Sequence, residues 1–274
     1  MQYYRHIPAA PLSQFVEYLW LYEGLVPTHK KEKLLPSGTM ELIIDLRDHP
    51  KHTYDKRDLA RATPYRKYWL SGMQNEYIVI EAAPGSMMGA HFHPGGAWPF
   101  FGAPLSEFCD NVVELDCVLG DAASISLRDR LLAASAPQAK LELLEQALLA
   151  LGRDRLVPDH AAHHAVQQML SLPMRLLIRD LAAKVGISQK HLIHLFDQRI
   201  GMKPKQLDRV MRFQRVINTL AATKPREVDW VAVALNCGYY DQSHFINDFQ
   251  AFSGMTPSAY LDQNWEYSNY VIVE

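Results

Sequence analysis

An imperfect internal repeat in the C-terminal third of the chain constrains its fold more than any other feature. Most matching pairs lie 53 residues apart: His191/His244, Leu192/Phe245, Ile193/Ile246, Phe196/Phe249, Gly201/Gly254 and Pro204/Pro257. Two further pairs lie 52 residues apart: Ala182/Ala234 and Gly186/Gly238. Each copy predicts a short helix, a glycine turn and a second amphipathic helix, which is a helix-turn-helix. Two such units in tandem predict a protein that reads DNA.

The second helix of each copy carries the candidate base-reading side chains. Gly186 and Gly238 fall where a helix must end in a left-handed turn, and Ser188 and Asp241 are then the N-caps of the second helices. The candidate DNA-contacting residues on these helices are Gln189, Lys190, Ile193, His194, Gln242, Ser243, His244, Ile246 and Asn247. Gln and Asn suit adenine edges, whereas Lys or charged His suits guanine or phosphate. Ile193 and Ile246 either contact thymine methyl groups or pack on a neighbouring helix.

A long amphipathic helix is predicted between the copies, from Lys205 to Leu220. With Pro204 in its first turn it has about 17 residues, and at about 1.5 Å per residue it is a rod of about 26 Å. This length would place the two reading helices about one DNA turn, or about 34 Å, apart. Arg209 and Arg212 on this rod are expected to contact phosphate, and the alternative is that they form a solvated face.

The segment from about Met174 to Leu261 resembles the DNA-binding domain of AraC-type transcription regulators. The matching residues are Asp180-Leu-Ala-Ala183, Gly186-Ile-Ser188, His191-Leu192, Leu195-Phe196, Gly201, Pro204, Arg212-Phe213, Cys237-Gly-Tyr-Tyr-Asp-Gln242, His244-Phe245, Phe249 and Gly254-Met-Thr-Pro257. The resemblance implies seven helices, two helix-turn-helix units joined by a long helix, and promoter binding that recruits or blocks RNA polymerase. It also implies that Lys190, Ile193 and His194 face bases in the first unit, as Gln242, Ser243, Ile246 and Asn247 do in the second.

The charge distribution agrees with DNA binding at one end of the chain. The 274 residues suit two domains of ordinary size. The net charge is only −2, but residues 173–263 hold 12 Lys/Arg against 8 Asp/Glu, leaving 16 against 22 elsewhere. A basic C-terminal module on an acidic N-terminal one fits phosphate binding confined to one end. We expect a domain at 1–156, a linker helix at 157–172, the DNA-binding domain at 173–263 and a tail at 264–274.

The N-terminal half carries short β-prone runs separated by turn residues. Strands are predicted at Glu41–Leu46, Tyr68–Leu70, Tyr77–Glu81 and Met88–His93, and Ser13–Tyr22 reads as a short helix running into a strand. The polar stretch Asp48–Lys67 is predicted to be a long exposed loop. From Leu127 the pattern becomes helical, and Ala161–Leu170 forms a further amphipathic helix. This spacing favours an antiparallel barrel or sandwich with appended helices.

Part of this half resembles the cupin-like sensor domain that precedes one AraC subfamily. The residues are Leu35-Pro-Ser-Gly38, Glu41-Leu-Ile-Ile-Asp45, Phe92-His-Pro-Gly-Gly96, Phe101-Gly102 and Pro104-Leu-Ser-Glu107. The resemblance implies a β-barrel with helices and no established ligand. The expected fold class is therefore α+β, with a cupin-like antiparallel barrel before an all-α domain holding two helix-turn-helix units.

His91 and His93 are the candidate metal ligands, because two His at i and i+2 face the same side of a strand. A metal needs further ligands, and Glu41, Asp45 or Glu81 would have to supply one from another strand. We expect no metal and no cofactor, and a polar rim or hydrogen-bonded pair instead. The candidate contacts for a small-molecule effector are His91, His93, Trp98 and Glu41.

Three classes of function remain open from the sequence. The leading one is a regulator, not an enzyme, that binds double-stranded DNA, contacts RNA polymerase and responds to a small molecule. The second is a cupin-type metal-dependent enzyme tethered to DNA, and in the third the N-terminal domain only forms a homodimer. No apolar run reaches the length of a membrane span, and no signal-peptide pattern is present. With Cys109, Cys117 and Cys237 read as reduced thiols, the expected location is the cytoplasm.

Overall fold

A computed structural model describes residues 1–47, 49–115, 121–171, 177–222, 228–263 and 268–273, with the backbone alone for 121–125. The N-terminal half is built from short antiparallel strands and the C-terminal half from helices. The strands are β1 (Gln2–His6), β2 (Val16–Leu25), β3 (Lys31–Leu34), β4 (Glu41–Asp45), β5 (Lys51–Tyr54), β6 (Ala62–Tyr65), β7 (Tyr68–Ser71), β8 (Ile78–Glu81), β9 (Gly85–Phe92), β10 (Val112–Glu114) and β11 (Tyr270–Ile272).

The strands form two antiparallel sheets. The larger sheet has the order β1-β2-β9-β4-β7-β10, and the smaller sheet has the order β11-β3-β8-β5-β6. The expected antiparallel sheets are present, but both are open over the described residues, and closure into a barrel is not seen there. We refer to the two sheets, with the segments that connect β1 to β10, as the two-sheet domain.

The strand predictions hold where apolar residues alternate or run together. β4, β7, β8 and β9 lie at the predicted places, and a turn of 3₁₀ helix at Leu12–Gln14 runs into β2 as expected. The exposed loop expected up to Lys67 is wrong. Described residues 51–65 form the hairpin of β5 and β6, and β5 also pairs with β8. These strands are polar because much of their surface stays in contact with solvent, which removes the apolar alternation.

One face of the larger sheet packs against helices. On it lie Leu19, Leu42, Ile44, Leu70 and Met88, each no more than 3% exposed. This face belongs to the same apolar core as the buried leucines of α2 (Pro137–Gly152), which follows α1 (Asp121–Ala133). Burial of this kind contributes about 1.5–3 kcal/mol per large side chain.

The C-terminal half is helical in its described part up to residue 263, and β11 follows. Its helices are α3 (His160–Ser171), α4 (Ile178–Val185), α5 (Gln189–Leu195), α6 (Pro204–Ala222), α7 (Trp230–Asn236), α8 (Gln242–Ser253) and α9 (Pro257–Leu261), with a π-helical turn at Phe196–Ile200. Six of these lie within the segment for which seven were expected, and α3 precedes them. Within the described ranges, every helix is too short or too polar to span a bilayer.

The predicted linker helix, α3, packs on the C-terminal half. Ala162, Val166 and Met169 are buried, and α3 contacts α4, α6 and the π-helical turn. The guanidinium of Arg215 on α6 donates to the carbonyl of Met169 at 2.7 Å, which satisfies one of the orphan carbonyls at the end of α3. The linker helix is therefore a structural part of the helical half.

The two halves meet at several contacts. Gly201, just past the π-helical turn, lies against the Leu105 carbonyl, and Gly38 lies against Leu207, Val210 and Met211 of α6. The Arg199 guanidinium lies 3.7 Å from the centre of the Trp98 ring.

Part of the expected tail, β11, extends the smaller sheet. β11 pairs with β3 in antiparallel register, with Tyr270 opposite Leu34 and Val271 opposite Lys33. Val271 is fully buried, and the Tyr260 hydroxyl of α9 donates to the Ser268 carbonyl at 2.6 Å. The run Tyr270-Val-Ile-Val273 has the β-branched and aromatic residues typical of a strand. The end of the chain thus returns from the helical half to the two-sheet domain.

Candidate DNA-binding surface

The first helix-turn-helix, formed by α4 and α5, has the predicted local geometry. Gly186 ends α4 with a φ of 78°, and the Ser188 hydroxyl caps α5 by accepting from the His191 amide at 3.2 Å. Leu192 is fully buried. The outward face of α5 carries the predicted set, because Gln189, Lys190, Ile193 and His194 are all exposed.

The second helix-turn-helix, formed by α7 and α8, repeats this arrangement. Gly238 has a φ of 88°, and the Asp241 carboxylate accepts from the His244 amide at 2.7 Å. Phe245 and Phe249 are fully buried. The candidate base-reading residues of α8 differ in exposure. Ser243 and Asn247 are exposed, and Gln242, His244 and Ile246 are half-buried.

The two isoleucines at the same repeat position behave differently. Ile193 is 45% exposed, whereas Ile246 packs against the apolar core. The thymine-methyl interpretation therefore remains open for Ile193. For Ile246, packing on neighbouring helices accounts for the residue. His244 is likewise turned toward the protein, since its ring contacts Tyr239 edge-on, with centroids 5.3 Å apart.

Arg212 does not lie on the surface, which removes the basis for expecting it to contact phosphate. It is 4% exposed, its Nη2 lies 3.3 Å from the Asp208 carboxylate, and its guanidinium lies 5.2 Å from the centre of the Tyr239 ring. A guanidinium this deep in the helical half stabilises the packing of α6 with the second unit.

Arg209 is half-exposed but already held by a carboxylate. Its Nη2 donates to Asp248 of α8 at 2.7 Å, and this hydrogen bond raises the pKa of Arg209. The side chain of Asp248 is only 9% exposed. The pair therefore joins α6 to α8, and its geometry favours a structural role over the expected phosphate contact.

The spacing of the arginines explains why the sequence was misleading. Arg209, Arg212 and Arg215 recur every third residue, which places them along one side of a helix. On that side Arg209 donates to Asp248 of α8 and Arg215 donates to the Met169 carbonyl of α3, so both guanidinium groups have partners within the helical half.

The exposed lysines nearest the start of α6 are Lys203 and Lys205. They are candidates for phosphate contacts that the sequence reasoning missed. The signal was available in Lys203-Pro-Lys205, because a proline in the first helical turn leaves its neighbours at an exposed helix start.

The predicted ligand contacts do not form one cluster. His91 lies on the inner side of the larger sheet, with Nδ1 3.6 Å from the Glu41 carboxylate and Nε2 3.8 Å from Glu17. His93 follows the end of β9 and its Nε2 lies 3.3 Å from the Ser13 carbonyl. Trp98 contacts Arg199 instead. Of the four predicted residues, His91 and Glu41 are therefore the pair whose side chains contact each other.

The protonation of His91 depends on its carboxylate neighbours. Burial acts to lower the pKa of His91, but the adjacent Glu41 and, more weakly, Glu17 outweigh it, so its pKa is raised. His91 and His93 do not converge on a shared site. Over the described ranges, no group of three His, Cys, Asp or Glu side chains is placed to hold a metal ion.

The cysteines that the structure describes are free thiols. Cys237 is 3% exposed, and burial raises its pKa. Burial also raises the pKa of Cys109 to about 11, which keeps it protonated at neutral pH. Cys117 lies outside the described residues.

Two family models match the chain. Residues 181–263 match a family described as a helix-turn-helix domain, and residues 4–114 match a family described as a domain of unknown function (DUF6597). The first match covers α5 to α9 and most of α4, and therefore both units described above.

Curated relatives are similar over the same C-terminal region. An uncharacterized HTH-type transcriptional regulator of Haemophilus influenzae is 31% identical over 83 residues, which are 30% of this chain and 27% of that protein. The HTH-type transcriptional activator AarP of Providencia stuartii is 27% identical over 104 residues, which are 38% of this chain and 75% of that protein. The chain thus spans about a quarter of the first relative's length.

Solved structures also show similarity. An AraC-type regulator from Chromobacterium violaceum is 27% identical, with a TM-score of 0.34, over 38% of this chain and 93% of that one. ToxT from Vibrio cholerae is 10% identical, with a TM-score of 0.44, over 89% of this chain and 95% of that one.

Proposed function

We propose that this chain, whose C-terminal half is an AraC-type helix-turn-helix domain, is a sequence-specific DNA-binding transcription regulator. The observation that carries the proposal is the exposure of polar side chains on both reading helices: Lys190 and His194 on α5, and Ser243 and Asn247 on α8. The described contacts with the two-sheet domain involve Arg199, Gly201, α6 and the end of α8. They therefore leave the first turns of both reading helices available to a DNA groove.

The exposed side chains divide into two roles. Asn247 and Ser243 of α8, with Lys190 and His194 of α5, have hydrogen-bonding groups suited to base edges in the major groove. Lys203 and Lys205 suit phosphate, which fixes the register of a protein on DNA without reading its sequence. Sequence preference then comes mainly from the two helices, and salt dependence from the lysines.

The two-sheet domain has the regulatory role in this proposal. It senses a small molecule or mediates pairing with a second copy of the chain, while the helical half occupies a promoter and acts on RNA polymerase. Its close contacts with α6 support this assignment, because α6 joins the two reading helices.

The test begins with duplexes selected by the full chain from a random-sequence pool. On a selected duplex, Asn247→Ala should reduce affinity by about 1–3 kcal/mol at its own base pair and relax the preference there. Lys205→Ala should weaken binding to all duplexes and lower the slope of log affinity against log salt by about 0.9. Fluorescence anisotropy at several salt concentrations measures both effects.

Asn218→Ala is the matched control, because Asn218 is an exposed asparagine on α6 rather than on a reading helix. It should leave both affinity and preference unchanged. Equal loss of affinity on selected and random duplexes for Asn247→Ala would contradict base reading by α8. Failure of the full chain to enrich any sequence would contradict the proposed function itself.

A further inference from the structure

The larger sheet ends in a strand whose outer edge has no neighbouring strand among the described residues. This strand is β1, which pairs with β2 on its other side. The pairing of β1 with β2 keeps one register over all five residues, from Gln2 opposite Glu23 to His6 opposite Leu19. Alternate residues of an edge strand direct their backbone amide and carbonyl groups away from the sheet. The outer edge of β1 is therefore a regular template on which another strand can pair.

The other strands at sheet ends are less suited to such pairing. β6 contains Pro64, which lacks the amide hydrogen that a strand ladder needs. β10 and β11 have three residues each. Folded proteins protect their sheet edges with prolines, very short strands or charged side chains. With five residues, no proline and no lysine, β1 has the least protected edge of the strands that the structure describes.

The arginine of β1 is directed over its own sheet. The Arg5 guanidinium lies 4.1 Å from the centre of the Tyr18 ring, and its Nη2 lies 3.8 Å from the Glu17 carboxylate. Tyr18 and Glu17 both belong to β2. The charge is therefore held above the sheet and does not block the outer edge of β1.

Large apolar side chains are exposed along this edge. Met1 is 54% exposed, Tyr3 is 51% exposed and Ile7 is 68% exposed. In an extended chain these odd-numbered residues share one face with Arg5. Burial of such side chains against a partner would favour association.

The sequence of this edge is complementary to itself. In a two-fold antiparallel pairing centred on Tyr4, residues equally far from Tyr4 lie opposite each other. Tyr4 then faces Tyr4 of the second copy, Tyr3 faces Arg5, and Met1 faces Ile7. These are an aromatic pair, a cation beside an aromatic ring and an apolar pair, and each of them favours pairing across strands. A pairing centred on Arg5 would instead place two guanidinium groups opposite each other.

We propose that the outer edge of β1 binds β1 of a second copy of this chain, which joins the two larger sheets across a two-fold axis. The pairing adds about four to six backbone hydrogen bonds. Association itself goes beyond the proposed function and needs no DNA, whereas its consequence for DNA rests on that function. A dimer carries two copies of each helix-turn-helix unit, so the selected duplexes should contain two copies of one motif in two-fold symmetry.

The test is sedimentation equilibrium of the full chain without DNA, from about 1 to 300 μM. Monomer and dimer should exchange with a dissociation constant of about 1–100 μM, as expected of a small interface. Tyr3→Lys should weaken association by about tenfold or more, because it places a lysine at the edge and opposite Arg5. The matched control is Thr63→Lys, which adds the same lysine at an exposed position of the edge strand β6 and should leave association unchanged.

Exchange of charges tests the register without depending on the stability of either variant. Tyr3→Lys and Arg5→Glu should each associate weakly alone, and their mixture should form a heterodimer about tenfold or more tighter than either variant alone. In that heterodimer the introduced lysine faces the introduced glutamate, and the native Tyr3 faces the native Arg5. Sedimentation velocity with one variant fluorescently labelled measures the heterodimer, and thermal unfolding shows that each variant is folded.

Three results would overturn the proposal. They are a parent chain that stays monomeric up to about 300 μM, a Tyr3→Lys chain that dimerises as tightly as the parent, and a mixture that associates no better than its components. Duplex selection separates this inference from the proposed function. A dimer that enriches no DNA sequence would refute only the proposed function, and a monomer that enriches one would refute only the pairing of β1.

Discussion

The pair Arg209–Asp248 gives the sharpest test of how the helical half is held together. The structure places the Arg209 guanidinium 2.7 Å from a carboxylate whose side chain is only 9% exposed. A phosphate-binding arginine would instead be held loosely in the absence of DNA. The two interpretations predict opposite results for Arg209→Met, which removes the charge and keeps the aliphatic stem.

The expected magnitude follows from the burial of the two partners. Breaking a fully buried pair costs about 3–5 kcal/mol, because one charge is left buried and uncompensated. An exposed pair is worth about 0.2–1 kcal/mol. Asp248 is nearly buried while Arg209 is 45% exposed, so solvent screening discounts the pair. Arg209→Met should then lower the free energy of unfolding by about 1.5–3 kcal/mol, and the pairwise coupling energy should be about 1–2 kcal/mol.

The assay is a double-mutant cycle of Arg209→Met and Asp248→Asn, measured by urea unfolding and by DNA binding at several salt concentrations. The structure predicts that the double variant loses less stability than the sum of the two single variants. It also predicts that Arg209→Met leaves the salt dependence of DNA binding unchanged. Lys205→Met is the control. Removing this exposed lysine should lower the slope of log affinity against log salt and leave stability unchanged. The structural reasoning is refuted if Arg209→Met stays within about 0.5 kcal/mol of the parent in stability and lowers the salt slope by about 0.9.

Three further predictions concern the two-sheet domain. Elemental analysis of the purified chain should find no stoichiometric transition metal; about one iron, manganese or zinc per chain, lost in His91→Ala, would contradict this. Because the folded pKa of His91 is raised, its contribution to stability is full below about pH 6.5. This contribution is lost as the pH rises through the folded pKa of His91. Urea unfolding from pH 6 to 9 should show the loss in the parent chain and not in His91→Gln. The same pH dependence of stability in both proteins would argue against the contact with Glu41. Val271→Ala should lower the free energy of unfolding by about 2 kcal/mol in the same assay, because Val271 is fully buried. Ile272 is 42% exposed, so Ile272→Ala should cost less stability. Equal losses would contradict the observed register of β11.

The helix-turn-helix units could be predicted because their sequence signals are local. Gly186 and Gly238 take the left-handed conformation that only glycine adopts cheaply. Ser188 and Asp241 cap the helices that follow them. Neither property depends on distant parts of the chain. Both copies of the repeat contain the glycine turn and the N-cap, so each signal occurs twice in the sequence. The outward faces of α5 and α8 then follow from helical periodicity alone.

The parts that could not be predicted depend on contacts between distant segments. The sequence shows that Arg212 lies on an amphipathic helix, but not that its side of the helix is covered by the second unit. The pairing of β11 with β3 joins residues more than 230 positions apart. Polar strands such as β5 lack the alternation that identifies a strand, because pairing with β8 and not burial holds them in place.

The position of β11 gives the two halves a physical route of communication. Its two faces have different neighbours. Tyr270 shares a face of the smaller sheet with Leu34 and Ile78, whereas Val271 lies in the core shared with Phe252 and Tyr260 of the helical half. Lys33, opposite Val271, donates to the Ser253 carbonyl at the end of α8. A ligand can shift the balance between two arrangements of the halves only by its difference in affinity for them, typically about 1–3 kcal/mol. A ligand that displaced β11 would supply such a difference, because the displacement would change the packing of Val271 and the hydrogen bond from Gln214 to Asn269 together. A regulator built in this way would transmit occupancy of the two-sheet domain to both reading helices through the last strand of its own chain.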